Sequence, residues 1–449
     1  MNRFLNITLF VLLLYKPQDL QAEQLPNFVI IFCDDLGYGD LGCFGHPTIR
    51  TPSLDRMAAE GQKWTNFYAP APVCTPSRAG LLTGRLPIRN GMTSAKRVVL
   101  FPNSGGGLPQ SEITIAEVLK TKGYATSCIG KWHLGHLPQF LPMQQGFDEY
   151  YGIPYSNDMH RPGGVPLMRG EEIIERPARQ ATVTKRYTEE ALRFIRQQKD
   201  NPFFLYMPHT MPHIPLFASE KFKGKSPRGL YGDVVEEIDW SVGQILEALR
   251  ELDIDKRTLV VFTSDNGPWL SFKQNGGSAG LLRAGKGTTF EGGMREPTIF
   301  WWPGRLKGGR TVSAMGSALD LLATCAALAG AQIPDDRKLD SVDLTPVMDG
   351  KQNSVRDTMF FYTRGVLHGV RKGKWKMHLL TRDPIRYGRP PQKHDPPLLY
   401  NLDFDPSEQF NIANKNKQVI SDLMKLVEEH KSTLKPVEDQ LAIPQPKKE

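Results

Sequence analysis

The sequence predicts an α/β protein in which helices sandwich a large, mixed but mostly parallel sheet, followed by a smaller C-terminal α+β subdomain. Two observations predict the sheet. Nearly continuous apolar runs, which suit strands buried on both faces, alternate along the chain with helical segments. A third observation predicts the subdomain: short strands without intervening helices follow one another after about residue 345. We therefore expect a main domain over residues 23–345 and a subdomain over residues 346–449.

Apolar runs predict the strands of the main domain, and the segments between these runs predict its helices. Strands are predicted at 27–32, 124–129, 203–207, 258–263 and 298–302, and helices at 53–61, 113–123, 187–198, 231–252 and 318–329. The subdomain is predicted to contain antiparallel strands at 359–362, 365–370 and 374–380, a Pro- and Arg-rich loop at 383–397, a turn at 401–406 and a helix at 419–430.

The N-terminal 22 residues have the pattern of a secretory signal peptide. Arg3 precedes a short apolar run at 7–15, and Ala22 offers a small residue before a cleavage point. No later run reaches the roughly 18 apolar residues of a membrane-spanning helix, so we expect no stable membrane insertion. The sole N-glycosylation pattern, at Asn6, falls inside this segment. The sequence therefore predicts an exported protein of a bacterial periplasm or the extracellular space.

Charge and cysteine content narrow the class of partner. The formal net charge of +8 admits nucleic acid, anionic lipid or an anionic substrate. Because the chain has no long basic run, we expect a small anionic group held in a pocket and no nucleic acid. The five scattered cysteines give neither a disulfide framework nor a zinc spacing.

Acidic clusters follow two of the predicted strands. Asp34 and Asp35 follow the strand at 27–32, and Asp265 and Asn266 follow the strand at 258–263. Reactive groups of open α/β sheets lie just beyond the carboxyl ends of the strands. These oxygen ligands suit a hard cation such as Ca²⁺ or Mg²⁺. The alternative is that both clusters are polar turns, in which Asp, Asn and Gly are common.

Two other motif matches fail on context. Residues 280–286 fit most of a phosphate-binding P-loop, but Gly287 stands where Ser or Thr must hold Mg²⁺. Residues 276–280 fit a nucleophile elbow but lie in a Gly-rich loop rather than on a strand–turn–helix.

The most specific segment is Cys-Thr-Pro-Ser-Arg-Ala-Gly-Leu-Leu-Thr-Gly-Arg at 74–85. It resembles the sulfatase signature at every defined position, and residues 130–135, 285–297 and 399–406 resemble further family motifs. The nearest branch is the one that contains arylsulfatase A and N-acetylgalactosamine-6-sulfatase. The resemblance implies the fold of the alkaline phosphatase superfamily, with a catalytic sulfatase domain at 23–345. It also implies that a maturation enzyme oxidises Cys74 to formylglycine, an aldehyde.

The resemblance also implies the site residues. The implied metal ligands are Asp34, Asp35, Asp265, Asn266 and the modified Cys74, with Ca²⁺ expected in preference to Mg²⁺. Arg78 is implied to steady the formylglycine, and the residues implied to contact the sulfate are Lys131, Lys286 and Ser156. His133 is implied to lie beside the formylglycine hydroxyls, and His213 is implied to face the leaving group.

The chemistry of a sulfate monoester explains this set. Its delocalised negative charge repels nucleophiles, so catalysis needs a cation, hydrogen-bond donors and an activated oxygen. The family scheme uses one hydroxyl of the aldehyde hydrate to attack sulfur and the other to expel sulfate afterwards. In that scheme His133 is the base for the expulsion, and His213, with Lys286, protonates the leaving oxygen.

The implied substrate is a sulfated saccharide, with aryl sulfates as surrogates. Two alternatives stay open: a phosphodiesterase or phosphonate hydrolase of the same superfamily, and a non-catalytic glycan-binding relative. Loops at 93–109, 158–179 and 381–397 are expected to set the specificity, which the fold does not determine.

Overall fold

The computed structural model describes residues 24–159, 163–385 and 389–445. The predicted signal segment at 1–22 lies outside the described residues. In the described parts of the chain, no helix is long and apolar enough to cross a membrane.

The main domain is built around a sheet with ten strands in the described residues. They are β1 Asn27–Cys33, β2 Gln62–Tyr68, β3 Ala125–Lys131, β4 Glu149–Ile153, β5 Leu167–Arg169, β6 Glu172–Glu175, β7 Phe203–Pro208, β8 Thr258–Ser264, β9 Arg295–Trp301 and β10 Arg310–Ser317. The spatial order is β10-β2-β9-β8-β1-β7-β3-β4-β5-β6. The central run from β8 to β4 is parallel, and β9 is antiparallel to both of its neighbours. This arrangement confirms the mixed, mostly parallel sheet.

Helices cover both faces of this sheet. The helices of the main domain are α1 Pro52–Glu60, α2 Cys74–Thr83, α3 Pro87–Asn90, α4 Ile115–Lys120, α5 Val183–Gln197, α6 Leu230–Glu251, α7 Glu291–Met294 and α8 Leu321–Ala329, followed by α9 Thr345–Met348. The last helix, α10 Lys417–Ser432, packs on the C-terminal sheet instead. Alternate residues of β1 explain the two layers. Val29 and Ile31 pack with α1, α5 and α6, whereas Phe28 and Ile30 pack with α2, α4 and α8 on the other face.

Five strands of the main sheet, β2, β4, β5, β6 and β10, are not predicted by the sequence. β2 and β10 lie at or next to one edge and mix polar with apolar residues, so they lack the continuous apolar run of the central strands. β5 and β6, at the opposite edge, are only three and four residues long, so they are too short to show the alternation of apolar and polar residues that marks a strand.

The C-terminal subdomain contains a four-stranded antiparallel sheet. β11 Thr358–Thr363, β12 Val366–Lys372 and β13 Trp375–Thr381 confirm the three predicted strands, and α10 confirms the predicted helix. The predicted loop at 383–397 is wrong in its second half, because β14 Gln392–Asn401 pairs with β13. β14 is an edge strand, and an edge tolerates Pro396 and Pro397, which cannot donate to a neighbouring strand.

Candidate active site

The two acidic clusters meet at the carboxyl edge of the parallel sheet. β1 and β8 are parallel neighbours, and Cys33 lies opposite Ser264 in their register. The residues that follow each strand are therefore adjacent, as the sequence predicts. Asp34, Asp265 and Asn266 are fully buried.

Hydrogen bonds tie the clusters together but leave oxygens unused. The Asp35 N–H, on a backbone with φ of 66°, donates to Asp265 Oδ1 at 3.2 Å. Asn266 Nδ2 donates to Asp35 Oδ1 at 2.8 Å. In the described part of the chain, Asp34 Oδ1 and Asn266 Oδ1 accept no hydrogen bond. Buried oxygens without partners are costly. This all-oxygen set therefore fits a hard cation such as Ca²⁺.

Cys74 faces this cluster from the first residue of α2. Ligand atoms of Asp34, Cys74 and Asp265 all lie within 4.8 Å of one another. Cys74, Thr75 and Pro76 form the first turn of this helix. Pro76 fits that turn because N–H groups there have no helical partner. Burial raises the pKa of the Cys74 thiol to about 11, although Lys131 and Lys286 act against it. The unmodified thiol is therefore a poor nucleophile at neutral pH.

Arg78, one turn further along α2, connects Cys74 to the rest of the site. Its Nε and Nη2 donate to Asp265 Oδ2 at 3.1 and 2.8 Å, and its Nη1 donates to the Lys131 carbonyl at 2.8 Å. Burial and the neighbouring Asp34 raise the pKa of Asp265. Burial also acts to raise the pKa of Asp34, but the closer cations, Lys131 first, lower it below its ordinary value.

Two lysines balance the carboxylates. Lys131, the last residue of β3, donates to Asp34 Oδ2 and, at 3.1 Å, to Ser156 Oγ. Lys286 Nζ lies 2.7 Å from the carboxylate of Asp35 and 4.3 Å from the ring centroid of Trp269. Both lysines are buried. Cations that already hold carboxylate oxygens in this geometry suit the oxygens of a bound oxyanion.

The two predicted histidines lie at the same site in fixed tautomers. Because a carbonyl only accepts, His133 Nε2 must donate to the Leu100 oxygen at 2.9 Å, and His213 Nδ1 must donate to the Ile214 oxygen. Among the described residues His133 Nδ1 has no hydrogen-bond partner. His213 Nε2 lies 3.6 Å from Asp35 Oδ2. Burial lowers the pKa of both imidazoles, so both are neutral at pH 7.

All eleven residues predicted for the site are joined by these contacts, either directly or through a neighbour. Sequence reasoning missed Trp269 and Thr75. The His213 and Trp269 ring centroids are 5.4 Å apart, so this indole forms a wall beside both His213 and Lys286. Thr75 Oγ1 donates to the His133 carbonyl at 3.1 Å and accepts from the Leu100 N–H. Nearness in sequence could have pointed to both residues, because each lies within three residues of a predicted metal ligand.

Comparison with known proteins identifies the class. The sulfatase family model matches residues 26–331, and the model for the C-terminal region of aryl-sulfatase matches residues 354–448. The chain therefore belongs to the sulfatase family, whose members are sulfuric ester hydrolases. This result confirms the predicted family and enzyme class.

The individual relatives agree with the predicted branch. The chain is 43% identical to human arylsulfatase A, over 92% of this chain and 89% of that protein. It is 42% identical to N-acetylgalactosamine-6-sulfatase of Rattus norvegicus, over 94% of this chain and 88% of that protein. Human steryl-sulfatase is more distant, at 35% identity over 98% of this chain and 94% of that protein.

Solved structures share the fold. The PsFucS1 sulfatase from Pseudoalteromonas sp. superposes with a TM-score of 0.83 at 28% identity, covering 91% of this chain and 90% of that one. Ps i-CgsB, solved in complex with k-i-k-neocarrahexaose, gives a TM-score of 0.80 at 31% identity, covering 94% and 95%. The predicted fold class is thereby confirmed.

Proposed function

We propose that this protein releases inorganic sulfate from a sulfated saccharide, using Cys74 converted to formylglycine together with bound Ca²⁺. One observation carries the proposal. Cys74, the carboxylates of Asp34 and Asp265 and two lysines converge on a single buried cluster at the carboxyl edge of the sheet, where one carboxylate oxygen and one amide oxygen accept no hydrogen bond. A cation, an anion-binding pair and a modifiable residue are the three components that sulfate-ester hydrolysis requires.

Asp34, Asp35, Asp265 and Asn266 would hold the Ca²⁺, with an oxygen on the modified Cys74 completing the set. Asp34 Oδ1 and Asn266 Oδ1, which accept no hydrogen bond from the described residues, support this assignment, and carboxylate and amide oxygens are ordinary Ca²⁺ ligands. When bound, the ion withdraws charge from the sulfate ester and from the nucleophile. We expect Ca²⁺ in preference to Mg²⁺, which tolerates fewer protein ligands.

Modification of Cys74 supplies an oxygen nucleophile that the thiol does not. A formylglycine-generating maturation enzyme is therefore a required partner. The high pKa of the thiol supports this view, since no neighbouring group turns it into a thiolate. Arg78 holds Asp265 and the Lys131 carbonyl, and in this way fixes the helix turn that carries residue 74.

The remaining residues bind sulfate and move protons. Lys131 and Lys286 hold sulfate oxygens, and Ser156 orients the Lys131 ammonium through their 3.1 Å contact. The unpartnered His133 Nδ1 accepts a proton beside Cys74. His213 Nε2 faces Asp35, and we assign it the transfer of a proton to the leaving oxygen of the sugar.

A sulfated saccharide is the natural substrate in this proposal, and an aryl sulfate is its convenient surrogate. N-acetylgalactosamine-6-sulfatase among the relatives and the structural neighbour in complex with k-i-k-neocarrahexaose support this choice. The signal-like N-terminus supports export, to a periplasm or beyond the cell.

A matched pair of substrates tests the reaction class. Hydrolysis of an aryl sulfate and of the aryl phosphodiester with the same leaving group would be measured on matured protein, with Cys74→Ala as the blank. We expect sulfate release to dominate and to vanish in the variant. A clear preference for the diester would assign the protein to phosphodiester chemistry. An absence of turnover with fully modified Cys74 and bound Ca²⁺ would favour the glycan-binding alternative.

A further inference from the structure

A pocket beside the candidate active site belongs to neither the metal cluster nor the sulfate-binding lysines. It lies between the segment leading into α2 and the β11–β12 turn of the C-terminal subdomain. From the main domain its lining includes Pro72, Val73, Pro76, Thr93 and Gly287; from the subdomain it includes Thr363, Arg364, Arg382 and Asp383. We call it the arginine pocket.

The arginine pocket begins where the proposed sulfate site ends. Val73 directly precedes Cys74, and Gly287 directly follows Lys286. Consecutive Cα atoms are about 3.8 Å apart, so the wall of the pocket is one residue away from both groups. The Gly287 N–H donates to the Pro72 carbonyl at 2.8 Å, which joins these two segments. A ligand whose ester occupies the sulfate site therefore has its neighbouring group within reach of this pocket.

The turn that carries Arg364 is held against the pocket. Arg364 and Gly365 both have positive φ, 52° and 73°, and they form the two-residue connection between β11 and β12. Such turns favour Asn, Asp or Gly at the first position, so an arginine here is costly. The Gly365 N–H donates at 2.9 Å to Thr93 Oγ1, and Thr93 is itself part of the lining. The turn therefore presents a cation at a fixed position.

The second cation lies close to the first. Burial, and then the charge of Arg364, lower the pKa of Arg382. Over the described ranges, neither guanidinium forms an ion pair with a carboxylate. Arg382 Nε is buried without a hydrogen-bond partner there, and so is Oγ1 of Thr363, whose residue is only 7% exposed. Arg382 Nη1 does donate to the Arg389 carbonyl at 3.2 Å, and Asp383 adds one carboxylate to the lining. Two arginines against one carboxylate leave the pocket with an excess positive charge, and a bound anion would offset that charge and could satisfy the Thr363 hydroxyl.

We propose that the arginine pocket binds a second anionic group of the substrate, carried by the sugar whose sulfate ester is cleaved or by the next sugar. This inference rests on the proposed function and narrows its substrate to a saccharide with at least two anionic groups. A uronate carboxylate and a second sulfate share the required chemistry. Planar guanidinium groups hold either anion through paired, charge-assisted hydrogen bonds.

Binding to the Cys74→Ala protein, which cannot turn over, tests the inference independently of catalysis. Calorimetry would compare three disaccharides that share one sulfate ester: a monoanionic one with no further charge, one with an added uronate and one with an added second sulfate. We expect at least one dianionic ligand to bind about 10-fold or more tightly than the monoanionic one. The carboxylate and sulfate arms identify which anion is preferred. Equal affinity for all three would overturn the proposal.

Substitutions locate the effect. Arg364→Gln and Arg382→Gln, each added to Cys74→Ala, should each remove most of this preference and leave binding of the monoanionic ligand unchanged. Arg196→Gln, an exposed arginine of α5, is the matched control and should change nothing. Arg364→Lys keeps the charge and should retain part of the preference, which separates charge loss from damage to the turn. A preference that survives both glutamine substitutions would contradict the assignment.

The outcome is distinguishable from failure of the proposed function. In the otherwise wild-type protein, Arg364→Gln should leave aryl sulfate hydrolysis unchanged. Sulfate release from aryl sulfate, together with equal binding of ligands with and without a second anion, would contradict only the role of the arginine pocket. Absence of sulfate release from every substrate would contradict the proposed function, while calorimetry would still measure binding at the pocket.

Discussion

Two buried clusters of charged residues, about equally removed from solvent, differ in whether every carboxylate oxygen accepts a hydrogen bond. One is the candidate active site around Asp34, Asp265 and Arg78. The other, which we call the Glu291 cluster, joins Glu291 of α7 to three residues of the C-terminal subdomain: Lys376 and His378 of β13, and Glu408. All four residues of the Glu291 cluster are fully buried.

Every carboxylate oxygen of the Glu291 cluster has a partner. Lys376 Nζ contacts Glu291 Oε1 at 2.7 Å and Glu408 Oε1 at 3.2 Å. Tyr68 OH donates to Glu291 Oε2, the Glu291 N–H donates to Glu408 Oε2, and His378 Nε2 contacts Glu408 Oε1. A buried charge is tolerated when it is paired in this way. This cluster joins the two sheets and has no free oxygen for a ligand.

The candidate active site instead keeps three buried polar atoms without a hydrogen bond among the described residues, namely Asp34 Oδ1, Asn266 Oδ1 and His133 Nδ1, and of these Asp34 Oδ1 lies 3.5 Å from Arg78 Nη2. Unsatisfied groups cost stability, and that cost is tolerated where a ligand later satisfies them. In this pair of clusters, the carboxylates whose oxygens all have partners join the two sheets, whereas the carboxylate with an oxygen left over lies where a metal ion is proposed to bind. We therefore expect a change in one cluster to leave the property that depends on the other cluster, either activity or stability, unaffected.

The largest effect is expected from Cys74→Ala. Removal of the residue that becomes the nucleophile should lower kcat on aryl sulfate by roughly 10⁴-fold or more. The melting temperature should change little, because the Glu291 cluster stays intact. Steady-state kinetics and thermal unfolding on the same preparation check both halves. Substantial turnover by the variant would contradict the role of Cys74.

Metal removal should be the next largest effect. Chelation of the ion should lower activity by about 10³-fold, since a metal supplies several kcal/mol of charge stabilisation, and added Ca²⁺ should restore it. Lys131 and Arg78 still balance the carboxylates, so the fold should survive. The assay is activity before and after chelation, with metal content measured on each sample. Full activity in protein shown to be metal-free would contradict the assignment.

Lys376→Met should affect stability and leave the chemistry intact. It leaves two buried carboxylates without their shared cation, so the free energy of unfolding should fall by about 3–5 kcal/mol. Activity per folded molecule should be retained. Urea unfolding measures the change, and Lys185→Met, on an exposed face of α5, is the control with an effect within about 0.5 kcal/mol. A loss below about 1 kcal/mol at Lys376 would show that the cluster does not stabilise the protein.

Acid should weaken the C-terminal subdomain through His430. This imidazole accepts or donates a hydrogen bond with Tyr362 OH at 2.8 Å and stacks on Phe360. Burial lowers its pKa to about 4, whereas an unfolded histidine titrates near 6.5. The unfolded chain therefore binds the proton first. The stability that neutral His430 contributes is fully present above pH ~6.5 and is lost as the pH falls toward about 4.

His430→Gln tests this smaller effect. Between pH 7 and pH 5 the variant should lose about 2 kcal/mol less stability than the wild type, from about 1.4 kcal/mol for each pH unit. Urea unfolding at the two pH values supplies the four free energies needed. An identical loss in both proteins would show that His430 is not the acid-sensitive group.

The sequence predicted what local patterns encode. Strands β1 and β8 are continuous apolar runs, and the acidic residues that follow them meet because parallel strands end at one edge. The signature at 74–85 identified the family. β14 was taken for a loop because its prolines read as breakers, and only the edge position that the fold gives it makes them acceptable.

Tertiary placement explains what the sequence did not predict. Glu291 and Lys376 are 85 positions apart, and neither lies in a pattern that points to the other. The arginine pocket likewise combines a turn and a strand end of the subdomain with the start of α2. Arg382 and Asp383 belong to the loop at 381–397 that is expected to influence specificity, whereas Arg364 lies in the β11–β12 turn, and no local pattern places that turn at the same pocket.

The mass of the peptide containing residue 74, isolated from protein matured in a host with the modifying enzyme, tests the central claim most directly. We expect a mass that corresponds to the exchange of one sulfur and two hydrogens of Cys74 for one oxygen. We also expect sulfate release to rise in proportion to the modified fraction. Full sulfatase activity in protein that carries only unmodified Cys74 would contradict it.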